Sequence, residues 1–169
     1  MKIIKYLFVF LFFIGLSYAA LLILAPRSLT FQINEDIDAP VYLVFENLTN
    51  PALYHLWNDA IDYIEFDSTS MYAGGDYIIH FKGEKSLVMK KRVVDYDSLV
   101  HCGTHGVVKD FFTWDEDINF TSLDSNRTRI STVVTLKSLG LRTRLLMYLE
   151  DTHKENLAYH YTSLKQHVE

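Results

Sequence analysis

The chain has a single cysteine, Cys102, in 169 residues. One cysteine excludes a disulfide within the chain and a zinc site built from cysteines, and we expect it to be buried and inert. Basic residues are also scarce, because 16 Lys and Arg stand against 21 Asp and Glu, for a net charge of −5. This balance disfavours a phosphate backbone as a partner, so we predict no nucleic-acid binding. The densest basic cluster, Lys90-Lys91-Arg92, would alternate between the two faces of a strand and is a weak patch.

One segment has no charged side chain at all, the run from Tyr6 to Ala25 between Lys5 and Pro26. At about 1.5 Å per residue, a helix of this length matches the hydrocarbon core of a bilayer. A retained membrane anchor is favoured, because the run exceeds the roughly 7–15 apolar residues of a signal peptide. The alternative is a signal peptide cleaved near Ser17-Tyr18-Ala19. Lys2 and Lys5 favour a cytoplasmic N-terminus, so we expect residues 28–169 on the periplasmic or extracytoplasmic side.

The remaining residues, 28–169, suffice for one domain with its own core. Alternation predicts a strand at Ser28–Ile37, and Pro40 and Asn50-Pro51 then delimit two short helices. A turn-rich loop, Ser68–Gly75, interrupts the strands that follow. Six further strands are predicted, most of them joined by short polar hairpins: Ile61–Phe66, Asp76–Lys82, Ser86–Tyr96, Leu99–Val107, Phe111–Leu123 and Arg127–Ser138. Gly140 precedes a long helix, Leu141–His167.

Strands joined by hairpins form an antiparallel sheet, and the long C-terminal helix is the element able to cover its inner face. We therefore predict an α+β fold in which about seven curved antiparallel strands wrap around this helix. A space between sheet and helix is where any chemistry would occur.

Winding the C-terminal helix at 100° per residue gathers its leucines on one side, namely Leu145, Leu146, Leu149, Leu157 and Leu164. His153, Asn156 and His160 share that side. They either satisfy backbone carbonyls or water at the edge of the buried face, or act as polar points that orient a ligand. The two histidines are about two helical turns apart, so we predict no metal site.

The strand from Phe111 places four large apolar residues and one carboxyl group on the same face, namely Phe112, Trp114, Glu116, Ile118 and Phe120. This face is predicted to point inward. Glu116 would then be a general acid or base, or a polar anchor for a ligand. The alternatives are a position at the cavity mouth with its carboxylate in water, or a bulge that changes the register. Ile130 and Val134 should face inward from the next strand.

The predicted cavity lining therefore comes from the last two strands and the C-terminal helix, and comprises Phe112, Trp114, Glu116, Ile130, Val134, Leu149, His153, Asn156 and His160. No residue is assigned a catalytic role, and no cofactor is predicted.

The stretch Ile37-Asp38-Ala39-Pro40, followed by Val44-Phe45, Leu48-Thr49-Asn50 and Trp57, resembles the opening of START-like (SRPBCC) helix-grip domains, within the polyketide cyclase/dehydrase-like group. Gly75 also fits the pattern, and the resemblance covers about residues 28–167. It implies a curved sheet that grips a long helix around a space for lipids, sterols, polyketides or other apolar molecules. A minority of such proteins catalyse cyclisation or dehydration.

Three functions follow from these observations. The first is a membrane-tethered domain that binds a hydrophobic or amphipathic small molecule between sheet and helix. The second is a cyclase or dehydratase with Glu116, His153 or His160 as acid and base groups. The third is an envelope protein that binds another protein through its surface, with an unknown partner.

Overall fold

The computed structural model of the chain describes residues 2–67, 72–83 and 87–169. It begins with the helix α1 (Lys2–Leu24), whose described side chains are almost all exposed. Within it, Ile4–Leu24 is long and apolar enough to cross a membrane, and no other helix in the described ranges meets that test. The charge-free run seen in the sequence therefore forms one continuous helix that packs little of its surface against the protein.

Seven strands form a single antiparallel sheet with the order β1-β7-β6-β5-β4-β3-β2. From β2 onward, each strand pairs with its neighbour in sequence, and β1 pairs with β7. The strands are β1 (Ser28–Ile37), β2 (Ile61–Glu65), β3 (Asp76–Phe81), β4 (Val88–Asp97), β5 (His101–Val108), β6 (Phe112–Asp124) and β7 (Arg127–Ser138). The predicted α+β fold and its seven-stranded sheet are confirmed. Residues 68–71 of the predicted loop and Ser86 of the fourth predicted strand lie outside the described residues.

Two prolines and one asparagine set the bounds of the short helices between β1 and β2. Pro40 precedes α2 (Val41–Thr49) with φ −61°, and its carbonyl oxygen accepts hydrogen bonds from the N–H groups of Leu43 and Val44. Asn50 ends α2, and its side chain accepts a 3.0 Å hydrogen bond from the N–H of Ala52. A 3-10 turn (Pro51–Leu53) and α3 (Tyr54–Trp57) follow.

The C-terminal helix is shorter than predicted. Residues Arg142–Tyr148 form a 3-10 helix, and the α-helix α4 runs from Glu150 to Val168. Leu149 separates them with φ −93° and ψ 40°, and its N–H bonds to Leu146 three residues back rather than four. Because a 3-10 helix has three residues per turn, the 100° winding used in the prediction fails here. Leu149 was predicted to face the cavity, and this was wrong: its side chain is 46% exposed.

The inner face of the sheet packs against α2 and α4 at the β1 and β7 side. Ile37, Val44, Leu136 and Leu164 are fully buried there. Ile130 and Val134 face inward as predicted, with no solvent exposure. They belong to this closed core, however, and do not line the cavity, because α2 packs on β7 and α4 packs on the adjacent β1.

Candidate functional site

A cavity of about 310 Å³ lies between the sheet and α4. It opens over β3, β4 and β6, while α3 forms its side wall. Most of the lining is apolar, and it includes Leu48, Ile79, Met89, Ile118 and Leu157. Small-molecule sites in proteins are about 300–1,000 Å³ and mostly apolar with a few placed polar groups. This volume is therefore sufficient for one small ligand.

The structure brings six of the nine predicted lining residues to this cavity, namely Phe112, Trp114, Glu116, His153, Asn156 and His160. The first three come from β6 and the last three from α4. Period-two alternation along β6 aims its large side chains at the helix, as the sequence indicated. Asn156 is exposed and belongs to the cavity mouth, whereas His153 and His160 are half-buried.

The most polar feature of the cavity wall is an ion pair between Lys91 and Glu116. The Lys91 Nζ atom lies 2.5 Å from Oε2 of Glu116, and the two side chains are only 10% and 9% exposed. Thr104 donates a longer hydrogen bond of 3.4 Å to the same carboxylate oxygen. Burial by itself would lower the pKa of Lys91, but the adjacent Glu116 carboxylate outweighs it and the pKa is raised. Lys91 is therefore a charged ammonium group inside an apolar cavity.

Lys91 was missed as a site residue, although the sequence contained the signal. On β4 the side chains of Met89, Lys91 and Val93 alternate with those of Lys90 and Arg92. Met89 and Val93 are buried, so the same alternation places Lys91 on the inner face. The basic cluster is split between the faces as predicted, and its middle member is the one that enters the cavity.

Three tyrosine hydroxyls near the cavity are already engaged. The hydroxyl of Tyr54 donates to the Leu48 carbonyl oxygen at 2.9 Å and lies 3.3 Å from the hydroxyl of Tyr77. That of Tyr161 lies 2.5 Å from Oγ1 of Thr132. Burial raises the pKa of all three phenols, so they stay neutral and serve as internal hydrogen-bonding groups.

The two cavity histidines differ in their surroundings. The Nε2 atom of His153 lies 3.2 Å from the Leu146 carbonyl oxygen. This contact agrees with the first of the two predicted alternatives, in which the histidine satisfies a backbone carbonyl. His160 has a buried Nδ1 atom without a hydrogen-bond partner among the described residues. Burial lowers the pKa of His160, which keeps its ring neutral. A neutral imidazole with one free buried nitrogen can pair with a polar group of a ligand.

Cys102 is buried on β5, as expected from the sequence. Burial raises the pKa of its thiol to about 11, and the nearby Glu116 carboxylate adds to this effect while Lys91 opposes it. The thiolate is the reactive form, so this cysteine is inert near neutral pH. Within residues 2–67, 72–83 and 87–169, no group of three or more His, Cys, Asp or Glu side chains is placed to hold a metal ion.

The other strand histidines lie on the outer face of the sheet. His80 stacks on Tyr63 and bonds to Glu65, in agreement with its predicted outward orientation. His101 and His105, which the sequence did not place, are paired on β5 with Asp117 at 3.0 Å and Asp115 at 2.5 Å. They therefore take no part in the cavity.

Known structures share the shape of this chain, although its sequence matches no family model and no curated protein. A START superfamily protein from Mycobacterium smegmatis superimposes with a TM-score of 0.67 at 14% identity, covering 82% of this chain and 96% of that one. The Zhui aromatase/cyclase from Streptomyces sp. R1128 gives 0.69 at 13% identity, covering 82% and 92%. Ara h 8.0201 gives 0.66 at 12% identity, covering 83% and 97%.

These similarities define the class of fold. The chain has the helix-grip fold of START-like proteins, so the predicted resemblance is confirmed at the level of architecture. The matched portions account for 92–97% of each of these structures and for 82–83% of this chain.

Proposed function

We propose that this protein binds one amphipathic small molecule in the cavity between the sheet and α4, while α1 retains it in a membrane. The observation that carries the proposal is an apolar cavity of about 310 Å³ with the charged Lys91–Glu116 pair in its wall. Structures of the same class include a START superfamily protein and an aromatase/cyclase, whose names are consistent with a ligand in this space.

The lining specifies the chemistry of the ligand. Its body must be apolar, because Ile79, Ile118 and Leu157 surround it and burial of apolar surface supplies the affinity. Its polar end must reach Lys91, whose ammonium group has three donors. Glu116 occupies one donor, so a ligand hydroxyl, carbonyl or carboxylate oxygen can accept another without breaking the ion pair. The free Nδ1 of His160 offers a second polar contact.

A cyclase or dehydratase would need two cavity groups free to move protons. Glu116 is held by Lys91 and Thr104, and His153 lies against the Leu146 carbonyl. Only His160, of the three candidate acid and base groups, has an unpartnered buried nitrogen within the described residues. This arrangement supports binding over acid–base catalysis.

The membrane assignment rests on α1. The segment Ile4–Leu24 is long and apolar enough to span a bilayer. We propose that it is a retained single-pass anchor, with Lys2 and Lys5 on the cytoplasmic side and the domain on the extracytoplasmic side. The intact mass of the protein from its own membrane tests retention, because the full chain is 19.7 kDa and cleavage after Ala19 would remove 19 residues.

The test of ligand binding is native mass spectrometry of the full chain, with extraction and identification of what dissociates. Leu157→Trp adds an indole inside the cavity, and Leu149→Trp adds the same group at an exposed position outside it. We expect one defined apolar adduct on the wild type and on Leu149→Trp, and none on Leu157→Trp.

Asn156→Trp, at the exposed mouth, repeats the block without disturbing the core. Equal occupancy in all four proteins would place the adduct on α1 instead. A clean apo mass without uptake from a lipid panel would favour a protein-binding role.

A further inference from the structure

The end of α1 is fixed to one end of the sheet. Only residues 25–27 separate α1 from β1. Leu22 and Ala25 are buried, unlike most of α1, and α1 contacts the 3-10 helix Arg142–Tyr148. The chain therefore leaves α1 directly against the domain and not through a flexible linker.

Two backbone hydrogen bonds hold neighbouring chain segments together at this end of the sheet. The N–H of Ser138 donates to the Arg27 carbonyl oxygen at 3.0 Å, and the N–H of Leu139 donates to the Phe111 carbonyl oxygen at 3.0 Å. The β5–β6 turn, the end of β7 and the start of β1 are consequently side by side. All three lie where the chain leaves the apolar helix.

Four large side chains at this end form what we call the anchor-end patch: Phe111, Leu139, Leu141 and Tyr148, which are 45–51% exposed. The 21 residues Ile4–Leu24 make a helix of roughly 31 Å, close to the thickness of a bilayer core. The lipid boundary then falls near Leu24, at the level of the patch. Apolar and tyrosine side chains at that level insert into the headgroup region.

The cavity lining reaches the same end of the sheet. Phe112 lines the cavity and follows Phe111 of the patch directly. Leu87, directly before β4, also lines it, and so does His153, whose ring contacts the Leu146 carbonyl within the 3-10 helix that touches α1. The patch and part of the cavity lining therefore lie at the same end of the sheet.

We infer that the anchor-end patch lies in the bilayer surface beside α1, so that the cavity receives its amphipathic ligand directly from that bilayer. The inference rests on the proposed function for the ligand and on α1 as a membrane span. The position of the patch itself can be measured without any ligand.

The first experiment measures that position in the full chain, reconstituted in phosphatidylcholine–phosphatidylglycerol vesicles. Phe111→Cys and Leu139→Cys are labelled with the environment-sensitive fluorophore NBD, and Val100→Cys is the control. Val100 is as exposed as Leu139 but lies in the β4–β5 turn at the opposite end of the sheet. Native Cys102 is buried and stays unlabelled. We expect doxyl-lipid quenching at 111 and 139 and iodide quenching at 100. Equal iodide quenching at all three positions would overturn the inference.

The second experiment measures uptake of a pyrene-labelled fatty acid. Leu139→Glu combined with Leu141→Glu should slow uptake from vesicles at least about tenfold, because two apolar side chains become charges at the headgroup boundary. Uptake of the same probe from detergent should be unchanged in this variant and lost in Leu157→Trp. If the wild type takes up no probe from detergent, the proposed binding of fatty-acid-like ligands is wrong. The quenching experiment would still determine whether the anchor-end patch lies in the bilayer surface. Equal uptake from vesicles by wild type and variant would overturn direct transfer.

Discussion

The inner face of this sheet has two halves that are filled in different ways. Over β1 and β7, Ile130, Val134 and Leu136 have no solvent exposure and pack beneath α2 and α4. Over β3, β4 and β6, a cavity of about 310 Å³ remains, and a charged pair lies in its wall. One strand pattern produces both halves, because alternation decides which way a side chain points and not what it meets. What an inward side chain contacts depends on where α2, α3 and α4 cover the sheet.

The ion pair lies in the half to which we assign the proposed binding function, and it lowers stability relative to an apolar core. Taking two charges out of water is expensive, and apolar replacements of a buried pair are often neutral or stabilising. Among the described residues of the closed half, no charged side chain is fully buried. The pair is therefore better explained by the proposed ligand than by folding.

The largest expected effect comes from removing one member of the pair. Lys91→Met leaves the Glu116 carboxylate buried without its partner, and we expect a loss of about 3–5 kcal/mol in the free energy of unfolding. Urea unfolding of the full chain in detergent, followed by tryptophan fluorescence, measures it. The double variant Lys91→Met with Glu116→Leu should recover most of this loss but bind no ligand through its polar end. A single variant as stable as the wild type would mean that water already solvates the pair.

The next effect compares the same substitution in the two halves. Ile130→Ala empties space in a packed core and should cost about 2–5 kcal/mol. Ile79 borders the existing cavity, so the side-chain atoms that Ile79→Ala removes have fewer packed neighbours. The loss in the free energy of unfolding should therefore be clearly smaller. The two residues are 0% and 5% exposed, which makes the pair well matched. Equal losses in urea unfolding would indicate that the cavity closes in solution.

This contrast also explains what the sequence could predict. Alternation located β1 and β7 to the residue and assigned the inward faces of β6 and β7 correctly. It could not separate Phe112, at the cavity, from Val134, in the core, because that depends on where α2 and α4 lie across the sheet. Short-range periodicity carries no information on that position.

Two further differences between prediction and structure have separate causes, one local and one tertiary. The helical winding failed at Leu149, because a 3-10 helix precedes α4 and changes the phase. The alternation of Lys91 with Met89 and Val93 indicated that its side chain points inward. Lysine is seldom buried without a charged partner, however, so this orientation is expected only when the partner is known. That partner, Glu116, lies two strands away across β5, at a distance that sequence spacing does not reveal.

A smaller effect is the pH dependence of stability that comes from His160, which lies in the cavity half of the structure. Burial lowers the pKa of His160 in the folded protein, so the unfolded chain binds the proton first as the pH falls below about 6.5. Stability should then decrease with falling pH, at no more than about 1.4 kcal/mol per pH unit for this one group, until the lowered pKa is reached. His160→Asn should flatten this part of the curve. An unchanged slope between pH 7 and pH 5 would show that the ring is solvated.

The smallest effect belongs to the ion pairs on the outer face of the sheet, which contrast with the pair inside the cavity. Arg129 makes two hydrogen bonds to Asp36, at 2.6 and 2.7 Å, yet both side chains are about half exposed. Exposed pairs gain little, since water solvates each charge and salt screens their attraction. Arg129→Gln should therefore shift the unfolding midpoint far less than Lys91→Met, and the residual difference should vanish in about 1 M salt, where the screening length is roughly 3 Å. A shift that rivals that of Lys91→Met and resists salt would show that geometry, and not burial, sets the value of an ion pair in this sheet.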